Sequence, residues 1–508
     1  MLTNHVLQLF GGQRLAFTAH YNSSRLVGGC MGTGWYHDYE KHLEDGECEV
    51  LLYTSPSVYC RFTLCGDGDA YACMTPGRLG YVLRVNYEEE FPYCVDCDSE
   101  RLEYYDVQGR LAKIVSHQGL ETQVTYSDSV TTITDTVTAK SIYLAKDSSG
   151  KIVRVYDDAA REAVLTYSGN HLTGIRDVNG NSLIYAYDTA GRVLYGVDSA
   201  GTRFFEDTYD SEGRVIVQKD ADGAHTSTIS YEPCGIHRTT SRLGIVCVRE
   251  FDSLGQLTGY TDGEGNTWHY EYDDNCNIIT ETDPLGKSVH TTYNSCGKPT
   301  RVIDKNGAAT VYTYDAAGNL TKITYPAVDG VSAEEYYAYD ENNRVIRHTD
   351  RRGTVTVYTY DENGMPAGKK VGDRNPIVYV YENGLLLSET DARGNTIHYE
   401  YNAIGQCTKK IDADESVTLY EYDLSGNLTK ATDADGKSVV YTYDGNYQKT
   451  SVTDALGNIT AYTYTGNLKP DTVTLPDNTT TRRVYDADDR LIQQMDENGA
   501  ITNTVYDA

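Results

Sequence analysis

The chain has few bulky apolar residues: its 508 residues include only 2 Trp, 7 Phe and 5 Met. It contains no apolar run long enough to cross a bilayer, which excludes a helical membrane span at the level of sequence. Residues 1–12 lack the basic start and apolar centre of a secretory signal peptide. We therefore expect any secretion to require a further N-terminal segment or a dedicated export route.

Basic residues are also scarce, since 44 Lys and Arg stand against 74 Asp and Glu, for a net charge of -30. Such a chain repels polyanions, so we expect no nucleic acid partner and no general affinity for anionic lipid. A glycine-rich phosphate loop is missing, and apolar residues do not recur at helical spacing over any useful length. These absences favour a β-rich protein, for which we expect neither a glycine-rich phosphate loop nor a nucleic acid partner.

Tyrosine, in contrast, is abundant, with 45 residues. One tyrosine returns about every 21 residues, usually followed by Asp and, three positions after the Asp, by Gly. The register extends N-terminally through Phe251 to Tyr105, and Lys146 holds one of the aromatic positions. A period of this length predicts an array of about 20 repeats rather than a single catalytic domain. The clearest anchor tyrosines are Tyr272, Tyr293, Tyr314, Tyr339, Tyr360, Tyr381, Tyr401, Tyr422, Tyr443, Tyr464, Tyr485 and Tyr506.

Each unit contains two Asp-x-x-Gly segments. The Asp side chain can accept backbone N–H groups and Gly tolerates positive φ, so each segment predicts a tight turn. In the segment from Asp283 to Gly286, Pro284 also presets the φ of a type I turn. The spacers between turns are rich in Thr, Val, Ile and Tyr, which predicts β-strands. Further segments of this kind pair Asp315 with Gly318, Asp423 with Gly426, and Asp433 with Gly436.

The predicted fold class is all-β, with each unit forming an antiparallel hairpin that continues into the next. Residues 105–508 are predicted to form a long ribbon of hairpins, and residues 1–104, which lack the rhythm, a β-rich cap. At about 4.8 Å per strand, roughly 40 strands span about 190 Å. Accumulated twist must coil such a sheet, and a single circle of that length is about 60 Å across. The ribbon is therefore expected to form an open or partial hollow shell.

Two roles are open for the tyrosines. Side chains two apart in a strand, such as Tyr441 and Tyr443, share a face, so the repeats build an aromatic stripe. A phenol suits a site where the ring is packed and the hydroxyl is polar. The simpler interpretation is that the rings staple neighbouring hairpins, and the alternative is that they stack against a ligand.

The cysteines offer one candidate metal site. Cys94 and Cys97 have the two-residue spacing with which two thiolates bind one Zn²⁺, and Cys60 and Cys65 are candidate partners. A disulfide and reduced buried thiols are the alternatives, of which reduced thiols are the simplest. We expect no cofactor beyond such a zinc ion. No grouping of Ser, His, Asp or Cys stands out as catalytic, so an enzyme is not predicted.

The motif Tyr-Asp-x-x-Gly-x-Leu at this period, as in residues 314–320, resembles the RHS (rearrangement hot spot) or YD-repeat family. Residues 21–23 (Tyr-Asn-Ser) and 34–39 (Gly-Trp-Tyr-His-Asp-Tyr) look like the block that precedes the repeats in that family. Its bacterial members include polymorphic toxins, wall-associated proteins and the B/C components of insecticidal toxin complexes, and animal teneurins share the repeats. The resemblance implies a ribbon that spirals into a hollow shell around a C-terminal toxin or effector.

Family members close the shell with a core block near the C-terminus, whereas this sequence stops inside a repeat, so we expect a segment of a larger protein without its effector. The implied function is that of a shell segment that encapsulates and helps to deliver a C-terminal toxin or effector. The alternative is a cell-surface protein whose repeats bind carbohydrate or a partner protein. Expected partners are the enclosed effector and, secondarily, a surface glycan or a component of a secretion apparatus. The expected location of the full-length protein is secreted or at the cell surface.

Overall fold

The computed structural model describes residues 2–9, 15–23, 26, 28–46, 49–55, 58–64, 70–75, 81–97, 101–221, 223 and 226–506. These residues form fifty β-strands and one short 3-10 turn at Pro233–Gly235. Over the same ranges, no helix has the length and apolar character that crossing a membrane requires. The prediction of an all-β chain of antiparallel hairpins is confirmed.

The N-terminal strands form a small separate unit. β2 lies between β1 and β5 in a three-stranded antiparallel sheet, and β3 pairs with β4. Phe17 and Trp35 are fully buried in this five-stranded unit, which is shorter than the predicted cap of residues 1–104 and which we call the cap. Its strands are β1 (Leu2–Gln8), β2 (Ala16–Tyr21), β3 (Gly28–Gly29), β4 (Gly32–Thr33) and β5 (Trp35–His37).

The other 45 strands form one antiparallel ribbon, in which each strand pairs with its neighbours in sequence. The first part comprises β6 (His42–Asp45), β7 (Glu49–Ser55), β8 (Val58–Leu64), β9 (Ala70–Cys73), β10 (Tyr81–Val85), β11 (Tyr93–Cys97), β12 (Arg101–Tyr105), β13 (Leu111–Ser116), β14 (Glu121–Tyr126), β15 (Val130–Asp135), β16 (Lys140–Lys146), β17 (Ile152–Asp157), β18 (Glu162–Ser168), β19 (His171–Arg176), β20 (Ser182–Tyr187), β21 (Val193–Val197), β22 (Arg203–Tyr209), β23 (Val215–Asp220), β24 (Thr226–Glu232), β25 (Ile236–Thr240) and β26 (Val246–Phe251). The ribbon runs without interruption through residue 104, so the proposed division of the chain at that point stays a prediction.

The second part of the ribbon is the more regular one, with strands of five or six residues and short turns between them. The exceptions are the longer loop of residues 325–333 and the three-residue last strand. It comprises β27 (Leu257–Thr261), β28 (Thr267–Tyr272), β29 (Ile278–Thr282), β30 (Ser288–Tyr293), β31 (Pro299–Ile303), β32 (Ala309–Tyr314), β33 (Leu320–Thr324), β34 (Glu334–Tyr339), β35 (Val345–Thr349), β36 (Val355–Tyr360), β37 (Pro366–Val371), β38 (Ile377–Glu382), β39 (Leu385–Thr390), β40 (Thr396–Tyr401), β41 (Cys407–Ile411), β42 (Val417–Tyr422), β43 (Leu428–Thr432), β44 (Ser438–Tyr443), β45 (Lys449–Thr453), β46 (Ile459–Tyr464), β47 (Pro470–Thr474), β48 (Thr480–Tyr485), β49 (Leu491–Met495) and β50 (Ile501–Asn503).

The ribbon is open as a whole, but its first eight strands, β6 to β13, curl until the first meets the last. The backbone N–H of Leu43 donates to Gly109 O at 2.7 Å, and that of Leu111 donates to Lys41 O at 3.3 Å. At the other end, within the described residues, β50 pairs with β49 alone. The ribbon therefore starts as a tightly curled coil and continues as a wider one.

The curled start identifies the concave face of the ribbon, because side chains fill its interior. Facing pairs such as Leu83 with Val95 and Tyr93 with Tyr105 are buried there. Opposed residues of a ladder share a face, and so do residues two apart in a strand. Tyr105 is the first aromatic of the repeat register, so the anchor tyrosines lie on this concave face, which we call the inner face.

Hydrogen bonds between residues far apart in sequence show that the ribbon coils through more than one turn. Asp198 Oδ2 accepts from Asn446 Nδ2 at 2.7 Å, a separation of 248 residues, and Ser241 Oγ donates to Asp488 Oδ2 at 2.8 Å, a separation of 247. With two strands per unit, one turn of the spiral holds about 24 strands, for a circumference of about 115 Å and a diameter of about 37 Å. The expectation of a single circle about 60 Å across is therefore wrong. Twist coils the ribbon more tightly, and a second turn lies against the first.

The predicted turns owe their shape to the Asp and the Gly. Asp283 Oδ1 accepts from Leu285 N at 3.0 Å and from Lys287 N at 2.9 Å, and Gly286 N donates to Asp283 O at 2.9 Å. Gly286 has a φ of 76°, in the left-handed region. Asp315, Asp423 and Asp433 also cap the N–H four residues on, and Gly318, Gly426 and Gly436 have φ values of 82°, 100° and 79°.

In some units the left-handed turn position, which is usually Gly, is occupied by a residue with a side chain. Replacing that residue with Gly should stabilise the protein. Cys276 has a φ of 64°, a conformation that costs an L-residue roughly 1–2 kcal/mol. Cys276→Gly should raise the free energy of unfolding by about 0.5–1 kcal/mol, because the entropy of glycine in the unfolded chain offsets part of the relief. Gly286→Ala should lower it, although its new Cβ would meet no atom within 4 Å. Urea midpoints measure both changes, and a lower midpoint for Cys276→Gly would contradict the expectation.

Candidate functional site: the ribbon wall and the seam between its turns

The anchor tyrosines tie each unit to the one before it. Tyr422 Oη donates to Cys407 O at 2.8 Å, fifteen residues earlier, and Tyr443 Oη donates to Leu428 O at 2.9 Å. Tyr381 occupies the equivalent place in β38. The bond to a carbonyl fifteen residues back is repeated by Tyr272, Tyr293, Tyr314, Tyr360, Tyr401, Tyr464, Tyr485 and Tyr506, and the longer unit of Tyr339 makes it to a carbonyl nineteen residues back.

The accepting carbonyl lies at a β-bulge. Glu421 pairs with Lys430, but the next residue, Tyr422, pairs with Leu428, so the ladder slips by one residue at this anchor. The ladders at Tyr272, Tyr293, Tyr401 and Tyr443 slip in the same way. A bulge bends the strand and interrupts the ladder. The hydroxyl of Tyr443, in the next unit, supplies a hydrogen bond to Leu428 O at that interruption. Bulge and tyrosine together curve the wall and keep it continuously hydrogen-bonded.

The same packing keeps the phenols protonated. Burial raises the pKa of Tyr401 to about 12 and raises the pKa of Tyr422 and of Tyr443. At neutral pH these hydroxyls therefore remain donors to the wall. The geometry favours the stapling role, because the hydroxyls of eleven of the twelve anchors already donate to a backbone carbonyl.

Loss of one staple should be measurable but small. Tyr422→Phe removes the bond to Cys407 O and should lower stability by about 1 kcal/mol. Tyr420 lies two residues earlier on the same face, and in the described part of the chain its hydroxyl has no hydrogen-bond partner, so Tyr420→Phe is the matched control. Urea unfolding followed by circular dichroism compares the two. Equal midpoints for both variants would argue against the stapling role.

Successive coils of the spiral meet at a seam. The seam is formed by the Asp-x-x-Gly turns of the hairpins. Asp198 Oδ1 caps its own turn through Thr202 N at 2.8 Å, while Oδ2 accepts from Asn446 in the next turn of the spiral. Asp220 Oδ2 accepts in the same way from Asn467 Nδ2 at 2.6 Å. One oxygen thus shapes the hairpin and the other joins it to the adjacent coil, which makes the wall continuous in two directions.

Arg161 is a three-way junction at this seam. Its Nε donates to Asp157 Oδ2 at 2.8 Å, its Nη2 to Gln8 O at 2.7 Å and its Nη1 to Leu424 O at 3.0 Å. The Arg161 side chain is 5% exposed and that of Asp157 is 0% exposed. One buried guanidinium therefore joins β1 of the cap, its own hairpin and the second turn of the spiral.

The cap lies against the inner face of the ribbon. Trp35 Nε1 donates to Tyr187 Oη at 3.0 Å, and Tyr187 is one of the aromatics of the repeat register. Val193 N donates to Tyr21 Oη at 2.8 Å. Two aromatic residues of the cap are therefore fastened to the concave side of the first turn.

The buried carboxylate of Glu103 stabilises the curled start of the ribbon. Glu103 accepts from Lys41 Nζ at 2.6 Å, from Arg101 Nε at 2.7 Å and from Tyr105 Oη at 2.8 Å, and its side chain is 1% exposed. Burial by itself raises the pKa of Glu103, but the charges and hydrogen bonds of Lys41 and Arg101 outweigh it and hold the pKa below its ordinary value. Because Lys41 directly precedes β6, this ion pair spans the closure.

The predicted cysteine pair is not brought together. Cys94 and Cys97 lie three residues apart in the continuous strand β11, so their side chains project from opposite faces. Cys97 and Cys60 are buried, and Cys65 lies outside the described residues. The ten cysteines that the structure describes are free thiols. Zinc binding by Cys94 and Cys97 stays a prediction, and this geometry does not favour it.

Sequence reasoning missed the residues of the seam. Asn446 and Arg161 both follow a turn Asp, two and four residues on, and nothing in their local sequence distinguishes them from residues that face solvent. The available signal was the recurrent Asp-x-x-x-Arg spacing, as in residues 157–161, 188–192 and 210–214, which indicates an ion pair within the turn. It does not indicate which of these arginines reaches another coil.

Three family models match the chain. The Teneurin YD-shell model matches residues 237–381, the RHS repeat model matches 381–417, 401–438 and 422–459, and a domain of unknown function (DUF6531) matches 1–58. Comparison with curated protein sequences gives no match.

Solved structures share the fold. The crystal structure of TcdB2-TccC3-Cdc42 aligns with a TM-score of 0.55 at 14% identity, covering 95% of this chain and 31% of that chain. That of TcdB2-TccC3 without its hypervariable C-terminal region aligns with a TM-score of 0.54 at 14% identity, covering 95% and 30%. This chain thus spans less than a third of the length of those proteins. The tyrosine staples, the paired turns and the matching repeat models together establish that the chain belongs to the RHS/YD-repeat family.

Proposed function

We propose that this chain is part of the wall of a hollow shell that encloses a polypeptide effector belonging to the same protein. The observation that carries the proposal is the seam between successive coils, exemplified by the hydrogen bond of Asp198 with Asn446. A ribbon that merely presented repeats would need no bonds between coils. A ribbon that must keep its contents from solvent does need them.

The dimensions support an enclosing role. A turn about 37 Å across, less about 10 Å for the side chains on its inner face, leaves a passage of about 25 Å. That space is too wide for side chains to fill and wide enough for an unfolded segment. Similar structures include a TcdB2-TccC3 protein named for the removal of a hypervariable C-terminal region, which supports a C-terminal position for the cargo.

The proposal assigns the chain a structural role without catalysis. The full-length protein would be secreted or carried at the cell surface, where a closed wall protects the producing cell from its own effector. The enclosed segment would then be its principal partner. Contact with a secretion apparatus would involve the outside of the wall.

Protease protection tests the enclosing role. In the full-length protein, the proposed effector segment should resist proteinase K while the wall is intact. The wall variant Arg161→Met, which removes bonds between coils, should expose it, whereas Arg214→Met, which removes an ion pair within a single turn, should not. Equal cleavage of that segment in all three proteins, with the wall still folded by circular dichroism, would overturn the proposal.

A second candidate function rests on the outer face. Val311, Val357, Leu419 and Val440 stand at equivalent positions of their units, three residues before the anchor, and between 37% and 44% of each is exposed. A repeated apolar stripe of this kind favours a partner protein over a carbohydrate. A glycan array probed with the purified chain separates a carbohydrate ligand from a partner protein. Glycan binding that survives Val357→Ser but is lost when the tyrosines are replaced would favour carbohydrate.

A further inference from the structure

Three side chains of different chemistry meet where the cap touches the ribbon. Cys30 lies between β3 and β4, His37 ends β5, and Glu40 follows three residues later. Their ligand atoms all lie within 4.8 Å of one another. Ile152 N, at the start of β17, donates to Cys30 O at 2.8 Å, which holds this part of the cap to the ribbon.

The carboxylate of Glu40 is built into this cluster. Its Oε1 accepts from Cys30 N at 3.0 Å. Gly29 leaves the room that this requires, because a Cβ there would lie 2.4 Å from Oε1. The other oxygen, Oε2, is buried and has no hydrogen-bond partner among the described residues. A buried acceptor without a donor is costly, and a cation would satisfy it.

The other two side chains offer donors that a metal ion accepts. Tyr39 N donates to His37 Nδ1 at the long distance of 3.2 Å, so the lone pair of the ring lies on Nδ1, and a metal ion there would replace this hydrogen bond. The Cys30 thiol would release its proton to solvent as the sulfur–metal bond forms.

Lys146 acts electrostatically on the cluster, since its charge acts on Cys30, His37 and Glu40 alike. Lys146 stands at the position where other units carry an anchor aromatic. It balances the negative charge that a thiolate and a carboxylate bring, and it also repels an incoming cation, so its removal should tighten metal binding.

We propose that Cys30, His37 and Glu40 bind one Zn²⁺ ion that stabilises the part of the cap that contacts the ribbon through Cys30. Sulfur, nitrogen and oxygen donors are the set that Zn²⁺ accepts, and three protein ligands leave a fourth tetrahedral position for water. The thiolate and imidazole disfavour Ca²⁺ and Mg²⁺. The site is distinct from the Cys94 and Cys97 spacing and goes beyond the proposed enclosing function.

Cobalt substitution tests the site directly. The purified chain, stripped with a chelator and titrated with Co²⁺, should bind one equivalent, with tetrahedral d–d bands and a thiolate-to-cobalt charge-transfer band that Zn²⁺ abolishes. Cys30→Ser should lose the charge-transfer band. The double variant Cys94→Ser/Cys97→Ser is the matched control and should keep it. Lys146→Met should bind Co²⁺ more tightly than the parent.

Glu40→Gln and His37→Gln keep the test decisive if Cys30→Ser fails to fold. Each should retain the charge-transfer band of the thiolate while its affinity for Co²⁺ falls at least tenfold. Zn²⁺ should also raise the melting temperature of the parent and not that of Glu40→Gln. Folded parent protein that takes up no stoichiometric Co²⁺, or a band that disappears in the Cys94/Cys97 double variant but not in Cys30→Ser, would overturn the proposal.

Discussion

Replacing Arg161 with Met should lower the free energy of unfolding by about 3–5 kcal/mol, the usual cost of removing one partner from a buried ion pair. The change leaves the Asp157 carboxylate buried without its cation and removes the bonds to Gln8 O and Leu424 O. Because those carbonyls belong to the cap and to the second coil, the effect should spread beyond the local hairpin. Urea unfolding gives the total loss.

Hydrogen exchange measured by mass spectrometry shows where that loss occurs. In Arg161→Met, exchange should accelerate in β1 and in the turn around Leu424 as well as at residues 157–161. Arg214→Met is the matched control, since Arg214 pairs with Asp210 and Glu212 near its own turn and is more exposed. Exchange that accelerates only around residue 161 would show that the seam does not depend on this guanidinium.

Adding Asp157→Asn to Arg161→Met separates the two parts of the effect. The double variant no longer buries an unpaired carboxylate, so part of the lost stability should return. The coupling of the cap and the second coil should not return, because the donors of Arg161 are still missing. Full recovery of both the stability and the coupling would mean that the unpaired Asp157 carboxylate accounts for the whole effect.

Glu103→Gln should lower stability by about 3 kcal/mol at neutral pH, because it leaves Lys41 and Arg101 with a neutral partner in a buried site. The pKa of Glu103 is lowered in the folded protein. A carboxyl of this kind contributes stability above its unfolded pKa of about 4.3 and loses it as pH falls through the folded value. The difference between parent and variant should therefore be greatest near neutral pH and shrink below about pH 4.

Urea unfolding at a series of pH values measures this convergence. Glu121→Gln is the matched control, because Glu121 pairs with Lys113 at 3.5 Å on a partly exposed strand. Its effect should stay below about 1 kcal/mol. A Glu103→Gln deficit that is independent of pH would show that the shape of the side chain, and not its charge, holds the curled start together.

Cys94 and Cys97 illustrate how a motif can mislead. The two-residue spacing is typical of zinc sites in turns, but here it falls within a strand, where alternation separates the two side chains. The structure buries Tyr93, Val95 and Cys97 and leaves Cys94 and Asp96 half-buried on the other face. Cys30, His37 and Glu40 had no comparable signal, because two short strands and their turns bring them together.

The hairpins, the anchors and the turns could be predicted because their chemistry is local. Asp283 and Gly286 shape a turn within five residues, and the alternation that places Tyr441 and Tyr443 on one face needs only a strand. The identity of the inner face, the fifteen-residue reach of Tyr422 and the pairing of Asp198 with Asn446 could not be predicted in this way. They depend on the small bends and twists of about 24 successive strands added together. No single segment of the chain therefore determines them.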